Sequence, residues 1–331
     1  MLKIRHISAV EKKKKTQSSD TYITDYVSRV TWSGSDTQVC RTVDMDVVNN
    51  PFDKTMQVNI NLGDLIYLYE NGKNIFQGVV TARNRTDGIG TVSYTAKDYM
   101  FYLLKSKGTY VFKKQKAENI AKIVCNDLQI QTDSLFKTKI NLGEQLVFDA
   151  EAYYNIILKS YNQAAKKMSE KYPPVFMPVM DGRALSVIPK GQSSGITLKL
   201  DADITSSSYS ENLENMINQV EIYKDSGELV KIVKNNNWVK KYGILQEAYK
   251  EEKDVNSVNA AKQLLVGIDK QASIEAIGNV VCRAGYSVKI KDAITQLCGK
   301  FFIVNDSHTW ENGVHTMSLE LKFKNELEEV E

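Results

Sequence analysis

Three histidines, His6, His308 and His315, are the whole imidazole supply of this 331-residue chain. If Asn312-Gly313 forms a two-residue turn, Trp310 lies opposite His315 and His308 opposite Met317, which puts all four on one face of a ribbon. Two histidines on one face can begin a metal site. A closed site needs one or two further ligands, and the nearest acids, Asp306 and Glu311, come from positions of different orientation or from the turn. The pattern therefore reads as histidines packed beside Trp310. Two carboxylate pairs, Asp44 with Asp46 and Asp201 with Asp203, stand at i, i+2 and would share a strand face, which is compatible with a glycosidase pair or a cation site. A hydrolytic acid also needs a pocket that shifts its pKa. No cleft signal accompanies either pair, so both read as surface carboxylates. No G-x-S-x-G elbow is expected, and the chain holds no H-E-x-x-H, no P-loop and no G-x-G-x-x-G after a strand, while Gly88-Ile89-Gly90 belongs to a hairpin turn. No catalytic residue, cofactor or metal is expected.

The elements that would position these residues are mostly strands, and they occur twice. A strand, turn, strand pattern near residues 58–102 recurs near residues 280–324. In the first copy Gly63-Asp64 precedes Leu65, Tyr67 and Tyr69, and Ile75-Phe76-Gln77-Gly78 starts the strand Val79 to Arg83. In the second, Gly285 precedes Val288 and Ile290, and Leu297-Cys298-Gly299 leads into Phe301 to Val304. Each copy then makes a glycine turn, Asp87-Gly88 or Asn312-Gly313, before a last strand. Gly63, Gly78 and Gly88 thus pair with Gly285, Gly299 and Gly313 as repeat positions.

The expected fold is mostly β with an α+β insertion: two related β-barrel modules flanking a smaller α+β domain. Residues 1–105 form the first module, with Tyr26 to Trp32 and Val39 to Val47 alternating at period two. Residues 106–195 form the middle domain. There Ala117, Ile120, Ala121, Val124, Cys125 and Leu128 make one helix face, and a second helix is capped by Asp149, with Tyr153, Ile157, Leu158, Tyr161, Ala165 and Met168 as its stripe. Lys171-Tyr172-Pro173-Pro174 stops it, and a hairpin turns at Asp181-Gly182. Pro189 to Gly195 marks a boundary. Residues 196–331 form the second module, with one inserted helix capped by Ser257 and a fraying end at Asn325 to Glu331.

Composition removes several classes of function. The net charge is +3, from 43 basic and 40 acidic residues, which gives no basis for a nucleic-acid or anionic-membrane partner. Lys12 to Lys15 reads as a solvated hairpin tip. Cys40, Cys125, Cys282 and Cys298 are too scattered for a C-x-x-C pair or a disulfide framework and read as small buried hydrophobes. No secretion signal opens the chain, and no apolar run approaches the roughly 20 residues of a membrane span, so synthesis in the cytoplasm is expected. Seventeen tyrosines suit both sheet packing and subunit contacts.

Taken together, several segments resemble the baseplate hub proteins of contractile phage tails, in particular the PBSX-type prophage tail hub. They are Val30-Thr31-Trp32-Ser33-Gly34-Ser35-Asp36 with Arg41; Gly63-Asp64 with Phe76-Gln77-Gly78; Glu214 to Val220; Lys241-Tyr242-Gly243-Ile244-Leu245-Gln246; and Gly299 to Ile303 with His308-Thr309-Trp310 and Gly313 to Met317. Tyr286 departs from the acid expected after the glycine. The resemblance implies a homotrimer in which two related barrels per chain alternate around a channel. It further implies a pseudo-sixfold ring between a hexameric tail tube protein and a trimeric central spike protein, with other baseplate proteins and a tape measure protein as further contacts. The particle would be a virion tail or a headless bacteriocin. Some relatives of this kind carry a hydrolase label, which no residue here supports. The competing readings are a peptidoglycan hydrolase and a wall-binding module using Tyr153, Tyr154 or Tyr161.

Overall fold

The computed structural model describes residues 1–8, 20–50, 52, 58–86, 90–169, 173–253 and 255–323. The Lys12 to Lys15 run, Lys171-Tyr172, the Asp87-Gly88 turn and Asn325 to Glu331 lie outside the described residues. In chain order the elements are β1 (Leu2–Ile7), β2 (Asp20–Tyr22), β3 (Val27–Ser35), β4 (Thr42–Asn49), β5 (Leu65–Glu70), β6 (Lys73–Asn84), β7 (Gly90–Asp98), α1 (Met100–Lys105), β8 (Lys107–Phe112), α2 (Ala117–Asp127), β9 (Gln131–Leu135), β10 (Leu146–Ala152) and α3 (Tyr153–Lys166). They continue as β11 (Phe176–Asp181), β12 (Ala184–Pro189), β13 (Gln192–Lys199), β14 (Ile204–Asn212), β15 (Gln219–Tyr223), β16 (Leu229–Lys234), α4 (Asn236–Tyr242), β17 (Gln246–Lys250), α5 (Ser257–Gln263), β18 (Asp269–Ile277), β19 (Tyr286–Lys291), β20 (Cys298–Glu311) and β21 (Val314–Phe323). Two compact units result, one of residues 1–207 with 273–331 and one of residues 208–272.

Thirteen strands join in one sheet, and its order contains the duplication. The first repeat runs β3-β4-β7-β6-β5-β1, the second β14-β18-β21-β20-β19-β13. Read along the chain, the six strands of each repeat come in the same succession. Both repeats even bulge at the same place, between Val80 and Ala82 and between Ile303 and Asn305. One pairing differs in sense: β1 is antiparallel to β5, whereas β13 is parallel to β19.

Period-two alternation decides which face each residue joins. Across β7, β4, β3, β20 and β21 the ladder aligns Ala96, Val43, Trp32, His308 and Met317 on the inner face. The adjacent row, Thr95, Asp44, Thr31, Thr309 and Thr316, faces outward. Ile4, Val30, Trp32, Val43, Met45, Ile66, Leu68 and Tyr94 are buried together under the first repeat. Each such side chain contributes about 1.5–3 kcal/mol through loss of contact with water.

The middle region has its own core, drawn from Cys40 and from residues 100–187. In α2 the buried residues are Ala117, Ile120, Ala121, Val124 and Cys125, as the periodicity predicts. Asp149 is not the cap of α3. It lies inside β10, where its carboxylate accepts from the Thr109 hydroxyl at 3.0 Å, and Ala152 occupies the cap position with no side-chain bond. The chain reaches α3 directly from a bulged strand, so no loop is left for a capping side chain. Residues 100–105, expected as strand, form α1. The expected hairpin is β11 with β12, where Asp181 pairs with Ala184.

Residues 208–272 are more than one inserted helix. They hold the sheet β16-β15-β17 and two helices, with Val220, Ile222, Val233 and Ala261 as a separate core. Asn235 caps α4, accepting from the amides of Asn237 and Trp238. Asn256 caps α5 in place of Ser257, which is the first helical residue.

Candidate functional site at the seam between the repeats

The two repeats meet where β3 of the first pairs antiparallel with the second half of β20, Arg29 opposite Glu311 through Ser35 opposite Asn305. Side chains from distant parts of the chain reinforce this ladder. Arg41, just before β4, donates from Nη1 to Asp306 Oδ1 at 2.8 Å and from Nη2 to Oδ2, while its guanidinium lies 4.1 Å from the Trp32 ring centre. Asp306 is fully buried and also accepts from the Ala284 amide at 2.6 Å. Glu70, at the end of β5, receives the Trp310 indole N–H at 3.2 Å and faces His315 Nδ1 at 2.9 Å.

The expected Asn312-Gly313 turn is present, with Trp310 opposite His315 and His308 opposite Met317. Both turn residues have positive φ, 52° and 77°, as the tight hairpin requires. His308 Nδ1 lies 3.2 Å from His315 Nε2, and His308 Nε2 donates to the Cys282 carbonyl at 3.0 Å. Burial lowers the His308 pKa to about 4 against the pull of Asp306, so the ring is neutral at physiological pH. Burial also lowers His315, against the pull of Glu70. Asp306 does share the His308 face, 3.5 Å from Nε2, contrary to the expectation of a different orientation. Even so, among the described residues no three His, Cys, Asp or Glu side chains are placed to hold a metal. His6 makes a separate buried pair with Asp64 at 2.8 Å.

Asp44, Asp46, Asp203 and Ser193, the other candidates for chemistry with polar contacts, are held by structural partners. Asp44 accepts from Thr95 at 2.6 Å and Asp46 from Ser93 at 2.7 Å, both on the outward polar face of β4. Asp201 and Asp203 sit in the turn between β13 and β14 and not on a strand, and Asp203 accepts from the Lys199 amide at 3.0 Å. Gly191-Gln192-Ser193-Ser194-Gly195 spells G-x-S-x-G, but Gln192–Lys199 is a strand without the following helix that a nucleophile elbow needs. Ser193 Oγ accepts from the Gly195 amide at 3.2 Å. Tyr161 is buried and donates to the Phe136 carbonyl at 3.0 Å, and Tyr153 and Tyr154, half-buried, pack on the same core. Cys40, Cys125 and Cys282 are buried, with burial pushing each thiol up to about 12; Cys298 is exposed.

Among the repeat glycines, Gly63 and Gly285 occupy corresponding turns. Gly63 donates to the Val80 carbonyl at 2.9 Å with φ +91°, and Gly285 to the Ile303 carbonyl at 2.9 Å with φ +86°. Gly78 and Gly299 are out of step. Gly78 lies opposite Ile66 and Gly299 opposite Ile290, which the Gly63–Gly285 correspondence matches to Leu68. Gly88, the counterpart expected for Gly313, lies outside the described residues.

Among the described residues, β6 beyond Val80 pairs with β7 alone, although the corresponding half of β20 is paired on both sides. The strand matching β3 is β14, which stands at the end of the sheet order. The chain thus carries one seam, β3 on β20, while among the described residues the counterparts of those two strands, β14 and the far half of β6, are not paired with each other.

A family model described as YQBQ-like matches residues 30–322. The phage-like element PBSX protein XkdQ of Bacillus subtilis (strain 168) is 25% identical over 309 residues, covering 91% of this chain and 93% of XkdQ. Among solved structures, the 43 kDa tail protein of prophage MuSo2 from Shewanella oneidensis superimposes with a TM-score of 0.65 at 13% identity, covering 97% of this chain and 98% of that one. The E. coli c3393 protein, described as a type VI secretion system component with structural similarity to the T4 tail proteins gp27 and gp5, gives a TM-score of 0.54 at 11% identity over 89% of this chain and 73% of its own.

Proposed function

Because the chain belongs to the YQBQ-like family, we propose that it acts as the baseplate hub of a PBSX-type phage tail or tail-like particle, a structural adaptor without a reaction of its own. Three copies close a ring in which six similar repeats surround a channel. The ring joins a sixfold tail tube to a threefold spike, with other baseplate proteins around it and the tape measure protein within. The observation that carries this reading is the pairing of β3 with β20, together with the edges of β6 and β14 that are open among the described residues. A heterologous contact of this kind, repeated from copy to copy, either closes a ring or grows a filament. With two repeats per chain, three copies close with alternating internal and inter-copy seams.

The outward face suits a channel wall. Its rows are Thr95, Asp44, Thr31, Thr309, Thr316 and, beside them, Lys97, Thr42, Ser33, Ser307, Ser318, so a continuous polar surface crosses the seam. Arg83 and Arg85 stand on β6 and just beyond it, while Glu211, which lies 3.8 Å from Lys270 and accepts from the Tyr209 hydroxyl, stands on β14. The names of the relatives, a PBSX element protein and a prophage tail protein, support the tail setting. The non-enzymatic reading is supported by the structural partners of the histidines, Asp44, Asp46, Asp203 and Ser193. Imaging of assembled particles, reading the symmetry of the layer that holds this chain, tests the proposal.

A further inference from the structure

We propose that the loop Asp292–Leu297 is the contact that closes one copy onto the next, with Ile294 as its specificity-determining residue; the inference rests on the ring reading above. Glu70 lies seven residues beyond Gly63, and Asp292 lies seven beyond Gly285, so the two acids hold the same position in the two repeats. Their behaviour differs. Glu70 reaches out of its own repeat to Trp310 and His315 of the other, 3.2 and 2.9 Å away. Asp292 turns inward and is fully buried, accepting from the Ile294 and Thr295 amides at 2.9 and 3.3 Å, the Thr295 hydroxyl at 2.6 Å and the Ser207 hydroxyl at 2.5 Å.

These bonds and the buried Leu297 fix both ends of the loop, while Ile294 remains 79% exposed. A lone exposed isoleucine needs no explanation by itself. Its position supplies one. At the internal seam, a cleft of about 380 Å³ opens beside Glu70, between Leu2, Ile4, Val27 and Val30 on one side and Trp310 on the other. The matching space at the inter-copy seam lies beside Asp292. There the chain extends past the two-residue Asn71-Gly72 turn of the first repeat, and the held loop carries Ile294 toward the end of the neighbouring copy's β6–β7 pair. Its shape is set before contact, so little side-chain or loop freedom is lost on docking. The internal seam is locked by a carboxylate with an imidazole and an indole, the inter-copy seam by an apolar side chain. This difference keeps the two seams from exchanging partners, which favours a threefold ring over mispaired assemblies.

The test uses the full chain in assembling particles, with Ile294→Asp and Ile294→Val. Ile294→Asp is expected to leave the thermal unfolding of the isolated chain unchanged and to lower its incorporation into particles by about tenfold, the scale of a central interface residue. Ile294→Val is expected to assemble. A photo-crosslinking side chain at position 294 should join residues of β6 or β7 in a second copy. Normal incorporation of Ile294→Asp, or crosslinks only to a different protein, would overturn this inference while leaving a threefold ring intact. Wild-type particles with no threefold layer of this chain would overturn the ring reading as well.

Discussion

Arg41 and Asp306, which are 265 residues apart in sequence, form a two-bonded ion pair that ties the repeats together across the seam. Asp306 is fully buried and the Arg41 side chain is 13% exposed, so removing either partner strands a charge away from water. Asp306→Ala is expected to destabilise the chain by about 3–5 kcal/mol. Replacing both, with Arg41→Met and Asp306→Leu, should recover most of that loss. Urea unfolding of the three variants checks the ordering, and a double variant weaker than Asp306→Ala would contradict it.

The glycines of the repeat differ in why they are glycine. A Cβ on Gly78 would stand 2.4 Å from the Lys97 carbonyl oxygen, inside the β6–β7 ladder, where backbone has to move. At Gly299 nothing lies within 4 Å, and the objection is only its φ of +144°. Gly78→Ala is therefore expected to cost more stability than Gly299→Ala, with Gly63→Ala, whose φ is +91° in open space, costing about 1–2 kcal/mol from backbone strain alone. Thermal unfolding ranks them.

Two buried groups bend the pH dependence of stability in opposite directions. Burial lowers His308 from 6.5 to about 4, so between those values the unfolded ring takes up a proton that the folded one refuses. That contribution is complete above about pH 6.5 and is lost as pH falls toward 4. Burial raises Asp98 from 3.8 to about 7, against its bonds from the Arg41 and Met100 amides. Its folded form keeps a proton that the unfolded form has released, so this contribution is present at low pH and is lost as pH rises through about 7. The two slopes oppose each other across pH 4.5–6.5. Asp98→Asn should leave stability rising with pH there, and His308→Asn should leave it falling, each by up to about 1.4 kcal/mol per pH unit. Parallel curves for the two variants would show that these groups do not titrate as their burial requires.

His308 and His315 are expected to have no part in any wall-degrading activity of whole particles. In particles that assemble, His315→Ala and His308→Ala should clear cell walls at the wild-type rate in a zymogram. Loss of clearing by correctly assembled particles would point to an enzyme.

What could be read in the sequence was whatever short-range geometry determines. The hairpin at Asn312-Gly313 sets its own register, because two consecutive positive φ values leave few alternatives. The faces of α2 follow from its period. The Gly78–Gly299 match failed because a register shift between Leu68 and Tyr69 and a longer loop at Asp292–Leu297 break the spacing by which they were aligned. The small unit of residues 208–272 was hidden because its strands Gln219–Tyr223 and Leu229–Lys234 read like those of the large sheet. Arg41 and Glu70 were invisible as seam residues, since their partners are 265 and 240 positions away. A charged residue among apolar ones, Asp306 at i, i+2 with His308 and Trp310, was the one local signal of the buried cluster.

The most direct measurement is a reconstruction of the assembled tail at a resolution that separates strands, without imposed symmetry on the hub layer. The hub reading predicts three copies of this chain around the axis, with β6 of each copy hydrogen-bonded to β14 of the next, so that the sheet runs unbroken around a channel faced by Thr31, Asp44 and Thr309. Six copies in the layer, or a chain outside the tube with no contact to the axis, would contradict it.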